Sequence, residues 1–379
     1  MSLIIEEHRQ YLEDASRISS YRAAIDRIVR PGDVVLDLGS GTGILGLLAC
    51  AAGAAQVYAI DGGGMAEPAR AIARANGFGD RVTVIDGWST HIDLPERADV
   101  LVTDQVGHFG FEAGIVPNAN HAKRCLLKAD ARLVPSHIDL WVAPVDAPDV
   151  VAAIDFWSQR PAGFDMSPLR DMAANSGYPR DIQASELLGP AARGGSIDLA
   201  ADNRLVVVSA ESRIERAGTL SGIGGWFVAT LAPGVTMSNS PLAADRIGRR
   251  GVVLPIARPV TVAPGDRVRT VMRILPDDVL VSWTVEWFRG DASVPADRFH
   301  HTTLRGMLLE PEKIKRTRLD YVPSLNARGE ARRSVLELCD GRRTIGEIEQ
   351  ATHDRHRPIF RDRGEAAVFV AEVMVGYSR

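Results

Sequence analysis

The chain has 379 residues, is 45% apolar and 24% charged, and carries a net charge of −4. That is enough material for two or three ordinary cores, with no charge excess of the kind that nucleic acid or an anionic membrane selects, so neither partner is expected. Cys50, Cys125 and Cys339 lie far apart, with no C-x-x-C pair and no histidine at ligand spacing, which argues against a disulfide framework and against a bound metal. The start, "MSLIIEEHRQ", has acidic residues where a signal peptide needs a basic region and an apolar run. No segment approaches about 18 continuous apolar residues, so a cytoplasmic chain without a membrane span is expected.

Taken in order, residues 1 to about 145 alternate strand-like and helix-like stretches. "DVVLDLG" reads as a buried strand, "GILGLLACAAGA" as a helix closed by Gly53, and "QVYAID" as a second strand; "MAEPARAIARANG", "RVTVIDG" and "ADVLVTD" continue the rhythm. This predicts an α/β, Rossmann-like parallel sheet with helices on both faces. From 146 to 310 the texture turns to β-rich runs such as "RLVVVSA", "GWFVATL", "GVVLPIA", "DRVRTVMRIL" and "VLVSWTVEWF", separated by glycine, proline and Asp-Asp turns, which predicts an antiparallel barrel or sandwich. Residues 311 to 379 return to helical periodicity in "RRSVLELCDG", "TIGEIEQAT" and "GEAAVFVAEVMVGY", the last expected to be amphipathic.

The stretch "VVLDLGSGTGILG" admits two frames. From Gly41 it is G-x-G-x-x-G, a dinucleotide fingerprint, but that frame starts two residues beyond the strand end, where Gly39 sits. From Asp37 it is D-x-G-x-G-x-G, which suits S-adenosylmethionine: Gly39, Gly41 and Gly43 leave bare backbone for the methionyl and ribose parts, and Asp37 is a carboxylate for the ammonium group. Asp61 ends the second strand, where a carboxylate serves the ribose hydroxyls of either cofactor.

The order of elements from "HRQYLEDASRISSYRAAI" to "ADVLVTD", followed by "GFDMSPL", "GWFVATL", "GVTMSNSPLA" and "VSWTVEW", resembles the protein arginine methyltransferases over residues 5 to 310. The resemblance implies an S-adenosylmethionine-dependent methyltransferase core, a β-barrel, and a dimerisation arm at about 160–200 that makes a head-to-tail homodimer, with Leu169, Met172 and Tyr178 as residues the arm buries. It also implies that His8 and Arg17 close over the cofactor, Arg17 pairing with its carboxylate. Where the family has glutamate near the adenine, "GWST" places Thr90, leaving adenine contacts to Trp88 or Ser89 or making Trp88 structural.

The family grips a guanidinium with two glutamates. The matching loop here, "TDQVGHFGFEAG", has Asp104 and Glu112, one residue closer in sequence, and the shorter Asp104 sets its carboxylate back by roughly 1.5 Å. The family's Thr-His-Trp loop is replaced by "LAADRIGRRGVVLP", so Arg246, Arg249 and Arg250 either bring positive charge to the acceptor pocket or are solvated. His108 lies between the two acids and is either a general base for a neutral acceptor or a loop histidine without a catalytic task. Asp104, Glu112 and His108 are the candidate catalytic residues.

The tail "RRSVLELCDGRRTIGEIEQ" resembles PqqD-like domains, which bind the leader of ribosomally made precursor peptides on a small sheet edge. Its strands would come from "KIKRTRLDYVPSLN"; a generic winged-helix packing module is the alternative. The expected activity is methyl transfer to a peptide or protein side chain, with two rivals: a small-molecule methyltransferase, for example on free arginine, and a catalytically silent binding protein.

Overall fold

The computed structural model describes residues 4–308, 315 and 320–377. The chain divides into two compact units, Met1–Met307 and Leu308–Arg379.

In the first unit, strands β1 (Val34–Leu38), β2 (Gln56–Asp61), β3 (Val82–Asp86), β4 (Ala98–Thr103) and β5 (Leu127–Val134) form one parallel sheet in the order β3-β2-β1-β4-β5. Every residue of β1 is buried, as a central parallel strand requires, which is why its sequence reads as unbroken apolar residues around Asp37. Chain order reverses between β1 and β4, and a doubly wound sheet opens its ligand crevice at the carboxyl ends of the strands at such a point. Helices α1 (Ile4–Glu13), α2 (Ala15–Ile28), α3 (Ile44–Ala51), α4 (Ala66–Ala75) and α5 (Ile115–Cys125) accompany the sheet. Asp14 caps α2 by accepting from the Arg17 backbone N–H at 3.0 Å, which fixes where α2 starts and so places Arg17 in its first turn.

The antiparallel part begins three residues after β5, with β6 (His137–Val145), and continues through β7 (Tyr178–Arg180), β8 (Ala192–Asp198), β9 (Val206–Arg213), β10 (Gly218–Ala232), β11 (Val235–Ser238), β12 (Gly251–Val262), β13 (Arg267–Leu275), β14 (Leu280–Phe288) and β15 (Asp297–Thr302). One sheet runs β7-β12-β10-β6-β8 with β11 beside β10, and the second runs β15-β14-β13-β9. Both β-rich sequence signals and their alternation correspond to these strands. The sheets meet where β8 passes β9: a Cβ on Gly195 would lie 2.6 Å from the Val207 carbonyl, so only glycine permits that approach. They are also joined by Trp283, whose indole N–H donates to the Pro255 carbonyl at 2.8 Å and whose ring stacks on His301. Burial lowers the His301 pKa to about 4, so its neutral ring accepts from the Ala257 N–H at 3.2 Å.

Helix α5 and strands β5, β6, β8 and β15 fall in stretches without a clear sequence signal. In β5, "LKADARLV", and β8, "ARGGSID", few side chains are apolar because only part of each strand is buried.

The second unit has helices Ala327–Leu338, Ile345–Arg355 and Arg363–Tyr377 around a core that includes Val335, Ile348, Phe360, Phe369 and Val373. Asn326 caps the first helix, and Thr344 with Glu347 makes a reciprocal capping box on the second. The final helix buries Ala366, Phe369, Val370 and Val373, yet Val368 and Val375 are exposed, so its apolar residues are not confined to one face. Of the stretch expected to supply strands, residues 313–314 and 316–319 lie outside the described residues, and 321–326 contain no strand.

Candidate active site

The turn after β1 is built for close backbone approach. Gly39 and Gly41 adopt φ of +68° and +51°, in the left-handed region that favours glycine. A Cβ on Gly39 would lie 2.8 Å from the Gln105 side chain, and one on Gly41 would collide with the His8 ring. The Gly41 N–H donates to Asp61 at 2.9 Å, so the acid at the end of β2 holds the turn closed; its other oxygen accepts from Gly63 at 2.7 Å. Ser40 is buried with its hydroxyl lacking a hydrogen-bond partner. Facing this turn across a cavity of about 530 Å³ are His8 and Tyr11 from α1, Arg17 from α2, and Asp104, His108 and Glu112 from the loop after β4.

Asp104 is the electrostatic centre of the far wall. Its Oδ2 lies 2.6 Å from Arg17 Nε, 2.5 Å from Arg17 Nη2 and 3.1 Å from Arg249 Nη2, and its Oδ1 is 3.1 Å from the Tyr21 hydroxyl. Burial opposes the charge on Arg249, but the adjacent Asp104 outweighs it and holds the guanidinium's pKa above its ordinary value. Arg17 also donates to the Tyr11 carbonyl at 2.9 Å and lies over the Tyr11 ring. Glu112 turns into its own loop, where it accepts from the backbone N–H groups of His108, Phe109 and Phe111. Gly107, at φ +74°, leaves room for that carboxylate. The ring of His108 is held by Nδ1, which lies 3.3 Å from the Arg250 carbonyl. A carbonyl only accepts, so Nδ1 is the donor in this contact.

The three loop arginines separate. Arg246 pairs with Asp181 and the Ile182 carbonyl, away from the cavity; Arg250 is exposed; only Arg249 turns in. Asn239 explains how this loop is positioned. Its amide donates to the carbonyls of His108 and Arg250, each at 2.8 Å, and accepts from the Phe227 N–H at 2.9 Å, tying the acceptor loop and the arginine loop to β10. Asn239, Tyr11 and Tyr21 stood in the sequence landmarks "SNSP" and "HRQYLEDASRISSY" but carried no site signal, because their roles depend on partners distant in the chain.

Other candidates lie outside this cavity wall. Asp37 is fully buried behind the turn, accepting from the Gly46 N–H at 2.9 Å with Oδ1 unpartnered; burial chiefly, with the Asp61 charge adding to it, raises its pKa to about 7. Gly43 begins α3 in the left-handed conformation. Trp88 is 70% exposed and lies against Gly62, Ser89 is buried, and Thr90 is exposed. Among the described residues no group of three or more His, Cys, Asp or Glu is arranged to hold a metal ion. In the arm region, Tyr178 is tied back by its hydroxyl to the Ala173 carbonyl at 2.9 Å, Leu169 and Met172 are half-buried, and Phe164 is 67% exposed.

A parallel β3-β2-β1-β4-β5 sheet with this glycine turn, followed by two antiparallel sheets, defines a Rossmann-like α/β fold with an attached antiparallel β domain. A family model described as ribosomal protein L11 methyltransferase (PrmA) matches residues 22–107. Protein arginine N-methyltransferase 6 of Danio rerio is 34% identical over 179 residues, covering 46% of this chain and 51% of that protein. The Xenopus laevis protein of the same name is 29% identical over 259 residues, covering 63% and 74%. A probable protein arginine N-methyltransferase 6 of Arabidopsis thaliana is 33% identical over 174 residues, covering 45% and 40%, so the matched part spans about half the length or less of two of these relatives. Among solved structures, a Trypanosoma brucei PRMT1 enzyme-prozyme heterotetrameric complex with AdoHcy superposes with a TM-score of 0.69 at 22% identity, covering 78% of this chain and 97% of that one. Arabidopsis thaliana protein arginine methyltransferase 10 gives 0.66 at 23%, covering 78% and 96%. This chain is thus similar in sequence, over part of its length, to protein arginine methyltransferases, and it has the same fold as the two solved ones.

Proposed function

We propose that this chain is an S-adenosylmethionine-dependent methyltransferase acting on a side chain of a peptide or protein. The observation that carries the reading is the convergence of the Gly39–Gly41 cradle, Asp61 and Arg17 with Asp104, His108 and Glu112 on one cavity. The cradle fits the cofactor: it has bare backbone at Gly39 and Gly41, an unpartnered Ser40 hydroxyl, a carboxylate at the end of β2 for ribose hydroxyls, and a guanidinium for the methionyl carboxylate. When bound, the cofactor supplies an electrophilic methyl group on a sulfonium.

The chain's own residues do the rest. Arg17 and His8 cover the cradle from the N-terminal helices, and Tyr11 closes its edge against water. Asp104 fixes both arginines, and the Glu112 carboxylate shapes the acceptor loop from inside. His108 lines the cavity and is the side chain we assign to take a proton from an acceptor held there.

The arm at 160–200 supports self-association in which exposed Phe164 is covered, and the tail unit supports recognition of a peptide, including the leader of a ribosomally made precursor. A tethered recognition unit would raise the local concentration of its peptide at the cavity. The internal pairing of both acceptor-loop acids favours a second reading, a cofactor-binding protein without turnover. Titration with S-adenosylhomocysteine, followed by mass spectrometry of candidate peptides incubated with S-adenosylmethionine, separates the two. Binding and the gain of a methyl group support the proposal; binding without gain on any peptide supports the silent reading; no binding overturns both.

A further inference from the structure

Resting on the methyltransferase reading above, we propose that Arg249 occupies the seat a substrate guanidinium would need, so that the acceptor reaching this cavity is an uncharged nucleophile such as a hydroxyl, imidazole or amide, and not arginine.

A carboxylate can localise the charge of an incoming guanidinium only if it presents free lone pairs to the cavity. Asp104 does not. Its Oδ2 receives Arg17 and Arg249, and its Oδ1 faces the Tyr21 hydroxyl. Glu112 does not either, because its oxygens are taken by backbone N–H groups of its own loop. Arg249 meets the same needs that an arginine side chain would bring. Its Nη2 bonds Asp104, its Nη1 lies 3.4 Å from the carbonyls of Asp104 and Gly107, and its guanidinium carbon sits 5.7 Å from the centre of the Tyr11 ring.

Charge points the same way. Arg17 and Arg249 place two positive charges on the single negative charge of Asp104, with both arginines and the acid largely shielded from solvent. A third guanidinium reaching Asp104 would meet Arg17 and Arg249 at close range, where water screens little, while the other two cavity acids, Asp61 and Glu112, are already held by backbone N–H groups. An uncharged acceptor meets no such penalty, and His108, a side chain of the type that takes up a proton, lines the same cavity. Asn239 keeps this arrangement in register by holding the His108 and Arg250 carbonyls together, so the base and the blocking arginine are positioned by one side chain.

The test is a titration of methylguanidinium into the full chain, with and without saturating S-adenosylhomocysteine, for the native protein, Arg249→Ala and Arg249→Met. Arg246→Ala is the control, since Arg246 pairs outside the cavity with Asp181. Circular dichroism confirms that each variant is folded. Arg249→Ala is expected to bind methylguanidinium at least tenfold more tightly than the native chain, Arg249→Met to show an intermediate gain, and Arg246→Ala to match the native chain. Equal or tighter binding by the native chain would overturn the inference, as would faster methylation of an arginine peptide by the native chain than by Arg249→Ala. Failure to bind S-adenosylhomocysteine would sink the methyltransferase reading instead, and the methylguanidinium contrast would still score the role of Arg249.

Discussion

Arg249 and Asp104 form a buried ion pair, 3.1 Å between Nη2 and Oδ2, with side chains only 12% and 9% exposed. The two residues are 145 positions apart, one in the loop before β12 and the other at the end of β4, so the pair couples the antiparallel domain to the parallel sheet at the cavity itself. Arg17 completes it from the N-terminal helices, making a cation–anion–cation triad.

Asp104→Asn removes the negative charge that these two arginines share. Leaving buried guanidinium groups without a counter-ion typically costs about 3 kcal/mol or more. The variant is expected to unfold at a clearly lower denaturant concentration than the native protein, read by urea titration, and to lose methyl transfer by about a hundredfold or more. Native-like stability would mean that solvent or another group already satisfies the arginines.

Gly41→Ala places a methyl group against the His8 ring at a backbone conformation, φ +51°, that costs an L residue about 1 kcal/mol or more. Cofactor affinity, measured calorimetrically with S-adenosylhomocysteine, is expected to fall at least tenfold. Gly77→Ala serves as the comparison: it has similar φ but no atom within 4 Å of its added Cβ, and should cost stability only.

Asp37 gives stability a pH dependence of known sign. Its folded pKa is raised from 3.8 to about 7, so the folded chain keeps a proton that the unfolded chain releases at lower pH. This carboxyl therefore lowers stability progressively as pH rises from about 4 to about 7, by roughly 4 kcal/mol at most, and makes no further difference above that. Asp37→Asn keeps an oxygen for the Gly46 N–H and has nothing to ionise. Its urea midpoint should be close to native near pH 4 and higher than native near pH 8; equal midpoints at both pH values would show that the acid is charged at low cost.

Asn239→Ala strands the Phe227 N–H and withdraws a donor from the His108 and Arg250 carbonyls. Stability is expected to fall by about 1–3 kcal/mol. Because Asn239 does not touch the cradle, kcat should drop while S-adenosylhomocysteine affinity stays within about twofold of native, and an equal loss in both would show that the clamp supports the whole cavity.

Phe164→Glu puts a charge on an exposed apolar side chain of the arm. If that residue is covered by a second copy, sedimentation should shift from dimer towards monomer at micromolar concentration, since an unpaired buried charge opposes association.

Local sequence carries those features whose cause is local. The buried run "VVLDL", the glycine spacing that follows it and the alternation in "VLVSWTVEW" each state their own element, because strand burial and positive φ act on the residues that show them. The same holds for Asn326 and for Thr344 with Glu347, which cap helices a turn away. Strand β8 was not legible, since its glycines answer to the close passage of β9 and not to their neighbours in sequence. The cavity divides along the same line. His8, Arg17, Gly39, Gly41, Asp61, Asp104, His108 and Glu112 were nameable from motif and order, but not their pairing. Only the folded chain decides that Asp37 lies behind the turn, that Glu112 faces its own loop, and that one of three neighbouring arginines, Arg249, turns inward while Arg246 goes to Asp181. Side-chain direction in a loop is set by partners far away in sequence, and here Asn239, Tyr11 and Asp104 come from three different parts of the chain.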